Sequence, residues 1–314
     1  MEKIIVMLSS YNGEKYIRTQ IDSILNQKMD AELQLIIRDD GSTDDTLLIL
    51  DEYTKAFNNV TVLKGNNIGY IASFFTLLKV APKADYYSFS DQDDFWLSDK
   101  LQVAIDKLKK AKSRYPQTPL LYGSSSFLVN DDLIVYGETQ KKIRKISLFN
   151  TIIQNFLPGH SQVMNSELRD VINAVNIDYA KIYVHDSFIT NIALLSGRIV
   201  FDNESHTLYR QTESNTLGYG VGTINWVKER IRRINKQDGQ CYALQMKYIC
   251  KTYRRYLPRE FSDEMRRFFK SQKSFISRLT YIFKTELYRQ KKVETLLFKM
   301  LYLKGGYNIT DSTM

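Results

Sequence analysis

Four short apolar runs, residues 4–8, 33–37, 60–63 and 86–89, alternate with amphipathic segments over the first hundred residues. The runs have strand length, whereas residues 16–25, 44–57 and 71–80 repeat apolar positions at helical spacing, and residues 99–111 do so with Leu101, Ala104, Ile105 and Leu108. Alternating strands and helices predict an α/β fold built on a mostly parallel, Rossmann-like sheet flanked by helices. A polar cluster follows each of three strands: Ser9-Ser10-Tyr11-Asn12-Gly13, Asp39-Asp40-Gly41-Ser42-Thr43, and residues 90–94. In open parallel sheets that carboxyl edge is where ligands bind.

The chain has 314 residues, 43% of them hydrophobic, enough for one large domain with an appendage or for two domains without covalent staples. Its two cysteines, Cys241 and Cys250, fit neither a zinc spacing nor a disulfide framework, which predicts a reducing compartment and a cytoplasmic location. The first residues, Met1-Glu2-Lys3, run straight into an apolar stretch too short for a signal peptide, and no stretch of eighteen apolar residues predicts a membrane span.

The net charge of +9 is unevenly placed. Residues 1–227 hold 23 Lys and Arg against 27 Asp and Glu, whereas residues 228–304 hold 21 against seven. A basic segment can serve nucleic acid, an anionic membrane surface, or solubility alone. Zinc-finger spacing, an aromatic RNA-binding signature and a convincing helix-turn-helix are lacking, so nucleic acid is not expected as a partner and the inner-leaflet membrane surface is favoured. The competing reading is a helical bundle that packs on the α/β domain or forms a homodimer, its lysines and arginines solvated.

Three parts are expected: residues 1–112 and 113–225 as two halves of one α/β domain, and residues 226–314 as a basic helical region, with glycines 218, 220 and 222 marking the boundary. Residues 120–129 read as paired strands around Gly123, and residues 184–195 as a buried helix.

The chemistry concentrates in Ser90-Asp91-Gln92-Asp93-Asp94-Phe95-Trp96. Three carboxylates at a strand end suit Mg²⁺ or Mn²⁺, hard ions that share their coordination shell with diphosphate oxygens. The plainer alternative is that these acids cap the next helix. In residues 39–44 a carboxylate can accept a hydrogen bond from a pyrimidine imide N–H, and the same residues supply turn and N-cap chemistry. Both readings stand together, with Asp40 facing a base and Ser42 or Thr43 capping.

Taken together, Ser10-Tyr11-Asn12-Gly13-Glu14-Lys15-Tyr16-Ile17, Arg38-Asp39-Asp40-Gly41-Ser42-Thr43-Asp44 and residues 89–96 resemble the family 2 glycosyltransferases of GT-A fold, and within them the bacterial rhamnosyltransferases. The resemblance is dense over the first 112 residues. It implies that Asp40 binds the pyrimidine, that Ser9 and Tyr11 border the nucleoside, and that Asp91-Gln92-Asp93 is the Asp-X-Asp element. Asp93 is then the chief metal ligand, Asp91 a second ligand or a ribose contact, and Asp94 their orienting neighbour. Trp96 reads as a packing residue. Tyr183-Val184-His185-Asp186-Ser187-Phe188 resembles the segment carrying the general base, here Asp186, against the alternative that Asp186 caps its helix and His185 lies at the surface. Residues 208–215 resemble a segment in which a histidine follows Tyr-Arg-Gln; Thr212 replaces it here, while Arg210 keeps a phosphate-contact role and His206 reads as a strand-surface residue. Residues 158–162, with His160, resemble a turn lining the sugar and acceptor pocket.

The implied activity is inverting, metal-dependent transfer of a sugar, L-rhamnose in the favoured case, from a dTDP- or UDP-linked donor. The implied acceptor is a polyprenyl diphosphate-linked glycan of a bacterial surface polysaccharide or capsule, with the enzyme held peripherally on the inner face of the plasma membrane. A UDP-hexose transferase of the same fold, or a non-catalytic nucleotide-sugar-binding scaffold, are the alternatives.

Overall fold

A computed structural model describes residues 1–139, 143, 145–211 and 236–309. The expected boundary near residue 225, and residues 212–215 of the Tyr-Arg-Gln segment, lie outside the described residues. The chain forms two compact units: Met1–Lys142, Leu157–Ile177 and Ser196–Gly218 make the first, and Ile143–Phe156, Asp178–Leu195 and Tyr219–Met314 the second.

The first unit is an α/β domain on one nine-stranded sheet. Its amino-terminal half follows the predicted alternation: β1 (Glu2–Ser10), α1 (Ile17–Leu25), β2 (Ala31–Asp39), α2 (Thr46–Ala56), β3 (Val60–Lys64), α3 (Tyr70–Val80) and β4 (Tyr86–Ser90). A two-residue β5 (Phe95–Trp96) and α4 (Lys100–Arg114) follow, then β6 (Leu120–Val129), β7 (Val135–Glu138), β8 (Val163–Asn165), α6 (Ser166–Asn173) and β9 (Arg198–Arg210); α5 (Leu148–Thr151) and most of α7 (His185–Ser196) belong to the second unit. The strand order is β3-β2-β1-β4-β8-β6-β9-β5, with β7 on β6. Strands β1 to β4 pair in parallel, β6 and β9 likewise, while the short β5, β7 and β8 join antiparallel.

Register brings the strand ends level. Ser10 pairs with Asp39 and Leu8 with Ser90, so the loops after β1, β2 and β4 leave the sheet at one edge. Strand β1 lies between β2 and β4, whose connections depart in opposite directions, and such a reversal opens a crevice at the carboxyl ends. Beneath it Ile4, Val6, Leu8, Leu35 and Ile37 pack fully buried against Ile17, Ile21, Leu101 and Leu108.

One expectation fails. Residues 120–129 form the single strand β6 rather than a pair around Gly123, because this glycine makes room instead of a turn: a Cβ there would collide with the Leu157 side chain.

The second unit is helical: α5 and α7, then α8 (Lys236–Thr252), α9 (Arg259–Ser271), α10 (Phe275–Lys284) and α11 (Lys292–Leu303). Phe268, Tyr281, Phe298, Tyr302 and Tyr307 form an aromatic core with ring centroids 4.9–6.2 Å apart. Buried Glu264 accepts hydrogen bonds from Tyr281, Thr285 and Arg267 within it, which compensates its burial.

Candidate active site

The loops after β1 and β2 lock together through side-chain bonds to backbone. Asn12 Oδ1 accepts from Thr43 N at 2.8 Å while Asn12 N donates to Ser42 Oγ at 2.9 Å, and Gly13 N donates to Thr46 Oγ1 at 2.8 Å. The predicted cap chemistry is therefore spent partly between loops, through Ser42 and Thr43, and partly inside the β2 loop, where Asp39 takes Gly41 N, Ser42 N and Ser42 Oγ. Gly41, with φ of +84°, turns in a region that side chains disfavour.

Asp40 is buried and accepts from Arg38 Nη1, from Ile68 N at 2.9 Å and from Gly69 N at 2.9 Å. A carboxylate has about four acceptor sites, so three are used and one on Oδ2 remains. Ser9 Oγ donates to Ser73 Oγ at 2.6 Å, and Tyr11 lies 46% exposed at the strand end. Gln92 clasps the Tyr11 backbone from both sides, accepting from its N–H at 2.9 Å and donating to its carbonyl at 3.0 Å. That clasp joins the acidic loop to the β1 loop.

Beside the acidic loop the structure brings His160, from the turn Gly159–Ser161, to Asp91 and Asp94, the ligand atoms of the three lying within 4.8 Å of one another; among the described residues they form the one such group. His160 Nδ1 is 3.6 Å from Asp94 Oδ2 and 3.9 Å from Asp91 Oδ2, and its Nε2 is 2.8 Å from the Ser126 hydroxyl. Tyr209 packs on the imidazole with centroids 4.4 Å apart. Asp93 does not join this group; its carbonyl accepts from Arg210 Nε at 2.8 Å. Arg210 also donates to the Asp131 carbonyl, stands 4.5 Å over the Tyr16 ring, and gives its backbone N–H to Asp94 at 3.2 Å. Its visible bonds anchor the acidic loop.

The electrostatics are those of charges held out of water. Burial pushes the Asp94 carboxyl well above its ordinary value, and the charges of Asp93 and Asp91 push the same way; Asp93 is raised by burial too. Burial, with the Lys100 charge beside it, lowers His160 to about 3, so the imidazole is neutral as a metal ligand requires. Lys100 is itself buried, its ammonium 3.5 Å from the Trp96 ring, and burial lowers it to about 7 against the opposing pull of Asp94.

These residues fit a divalent cation. Asp94 Oδ2 is buried without a hydrogen-bond partner, an arrangement that costs stability unless something positive meets it. When Nε2–H donates to Ser126, the Nδ1 lone pair faces both carboxylates, the orientation that a supported histidine ligand takes.

Asp186 stands in the second unit, in the first turn of α7. Its Oδ2 accepts from Asn155 Nδ2 at 2.8 Å and its Oδ1 from Ser187 N at 2.6 Å. Gln245 of α8 accepts from Tyr183 N at 2.9 Å, so α8 braces the backbone just before this aspartate. His185 beside it is buried, not at the surface. His206 lies on β9 with Nδ1 3.2 Å from Asp99, outside the Asp91 group, and Trp96 is a core residue as expected.

Sequence reading made Asp93 the chief metal ligand with Asp91 second, gave Asp94 and His160 lesser parts, and missed Ser126 and Lys100; the structure gathers Asp91, Asp94 and His160 and leaves Asp93 outside that group. The run Ser124-Ser125-Ser126 inside a strand otherwise apolar was the available signal.

A mixed α/β sheet flanked by helices is the fold of the GT-A glycosyltransferases, and solved structures agree. The chain superposes on Staphylococcus aureus TarS 1-349 in complex with UDP (TM-score 0.60, 18% identity, 97% of this chain and 89% of that one). It also superposes on the mannosyltransferase PcManGT of Pyrobaculum calidifontis in complex with GDP-Man and Mn²⁺ (TM-score 0.54, 16% identity, 97% and 86%). In sequence it is 30% identical over 226 residues to the dTDP-rhamnosyl transferase RfbG of Shigella flexneri, covering 68% of this chain and 74% of that one. The "Glycosyl transferase family 2" model matches residues 5–163, and the chain belongs to that family: it is a glycosyltransferase.

Proposed function

We propose that this enzyme transfers L-rhamnose from dTDP-β-L-rhamnose, with inversion, to a polyprenyl diphosphate-linked glycan in surface polysaccharide synthesis, working in the cytoplasm peripherally on the inner membrane face. The observation that carries the reading is the convergence of Asp91, Asp94 and His160 at the edge where the β1 and β2 loops also end. The 30% identity to a dTDP-rhamnosyl transferase favours rhamnose over a UDP-linked hexose.

In this reading Asp91 holds Mg²⁺ or Mn²⁺, aided by Asp94 and His160, with Asp93 the competing carboxylate. When bound, such a cation supplies positive charge against the diphosphate that leaves. Asp40 offers its remaining acceptor site to the thymine imide, and Ser9 and Tyr11 border the nucleoside. Arg210, already anchoring the acidic loop, keeps a share of phosphate contact. Asp186 takes the proton of the acceptor hydroxyl as that oxygen bonds to the anomeric carbon and the carbon–diphosphate bond breaks, giving an α-rhamnoside.

The test is product formation from dTDP-rhamnose and a panel of UDP-hexoses, with a lipid-linked acceptor and Mn²⁺ or Mg²⁺. Turnover with dTDP-rhamnose is expected, reduced by about 100-fold or more in Asp91→Asn and by about 10²-fold or more in Asp186→Asn. Turnover with a UDP-hexose alone would replace the donor assignment. An Asp94→Asn loss exceeding that of Asp93→Asn assigns the cation to Asp94, and the reverse order assigns it to Asp93.

A further inference from the structure

Helices α10 and α11 turn Tyr281, Phe298 and Tyr302 into the aromatic core of the second unit, and each carries a second apolar face pointing away from it. On α10 this face is Phe275, Ile276, Leu279 and Phe283; on α11 it is Val293, Leu296 and Met300. The spacings put each set on one side of its helix. Ile276 is 75% and Phe283 80% exposed. Of seventeen exposed large apolar side chains among the described residues, seven lie in these 26 residues, a concentration that the ordinary scatter of single surface apolar residues does not explain.

The rim of this face is basic. Between residues 270 and 304 there are nine Lys and Arg against two Asp and Glu, and one of those two, Glu294, is buried. Lys273, Lys284, Lys292 and Lys304 are exposed around the apolar stripes, whereas Arg278 is turned inward, donating to the Leu303 and Gln272 carbonyls. Exposed aliphatic and aromatic residues ringed by lysines complement a surface that is negative outside and apolar just beneath, the interface of an anionic bilayer. A second copy of the chain would bring the same lysine rim against itself. Nucleic acid would use the lysines and leave Ile276 and Phe283 in water. No described helix is long and apolar enough to cross a membrane, so the contact is interfacial.

We propose that the outward faces of α10 and α11 are the docking surface for an anionic phospholipid bilayer, with Ile276 and Phe283 entering the headgroup region and the lysines contacting phosphates. This rests on, and makes specific, the peripheral attachment proposed above.

The test is flotation of the full-length protein with vesicles containing phosphatidylglycerol and with vesicles of phosphatidylcholine alone. Wild-type protein is expected to float with the former and far less with the latter. The Ile276→Asp/Phe283→Asp variant, and separately Lys273→Glu/Lys284→Glu/Lys292→Glu, should bind at least about tenfold more weakly, with unchanged thermal melting and unchanged turnover of donor with a soluble acceptor. Absence of turnover in wild type and variants alike, with wild-type flotation and its loss in both variants as expected, would sink the catalytic reading and leave the docking surface standing. Equal flotation of wild type and both variants, absence of wild-type flotation, or a wild-type dimer in vesicle-free buffer that the aspartate variant splits would overturn the proposal.

Discussion

Lys100 is a buried ammonium whose neighbours are a tryptophan ring and the Asp94 carboxylate field. Unfolded, it keeps its proton up to about pH 10.5; folded, it loses it near 7, so between those values the unfolded chain holds more protons and stability rises with pH. Lys100→Met should therefore be most stabilising, relative to wild type, near pH 7, and the advantage should shrink by about 1 kcal/mol per pH unit toward pH 10. Urea denaturation at several pH values measures this, and parallel curves would contradict it. Ser126 acts one bond further out, on His160 Nε2 at 2.8 Å, so Ser126→Ala should weaken Mn²⁺ binding about tenfold with little loss of stability; unchanged affinity would remove His160 from the ligand set. The acidic loop was legible because three acids crowd a strand end, although Asp93 rather than Asp91 was read as its chief ligand. His160 was read only as part of a pocket-lining turn, and Ser126 and Lys100 not at all, because only the pairing of β6 with β8 and β9, and the packing of α4, bring them to that end; spacing along the chain carries no trace of it.

The parallel half of the sheet was readable element by element, since residues 4–8 and 35–37 are buried on both faces and helices of apolar period 3.6 separate the strands. Strand β6 was misread for an identifiable reason. Glycine often marks a turn, but Gly123 sits mid-strand, where its missing side chain admits Leu157. Gly123→Ala should cost about 1–3 kcal/mol through overpacking, and Leu157→Ala in the same chain should recover part of it. A double variant no more stable than the sum of the two single changes predicts would show that the clash is not the cause. The loops after β1 and β2 were half legible: their cap-forming residues were recognised, but they cap each other's backbones. Asn12→Ala, which releases Thr43 N, should cost about 1 kcal/mol and weaken nucleotide binding together; loss of stability with nucleotide affinity intact would uncouple the loop lock from the site.

At the scale of the whole molecule, charge and chemistry are divided along the chain. The mildly acidic first 227 residues hold the Asp91 group, and the basic carboxyl-terminal stretch holds α8, whose Gln245 supports the backbone just before Asp186. Deleting everything after residue 225 should therefore lower turnover as well as membrane binding, and truncation alone cannot separate the two; substitutions on α10 and α11 can. The central claim is that nucleotide and cation meet at the acidic loop. Calorimetric titration of dTDP into the protein, with and without Mn²⁺, tests it most directly. Mn²⁺ should tighten dTDP binding by at least about tenfold, a coupling that must be reciprocal, and Asp91→Asn/Asp94→Asn should abolish that gain while retaining weak metal-free binding. Equal dTDP affinity with and without Mn²⁺ in the wild type, or a full Mn²⁺ effect in the double variant, would contradict the account.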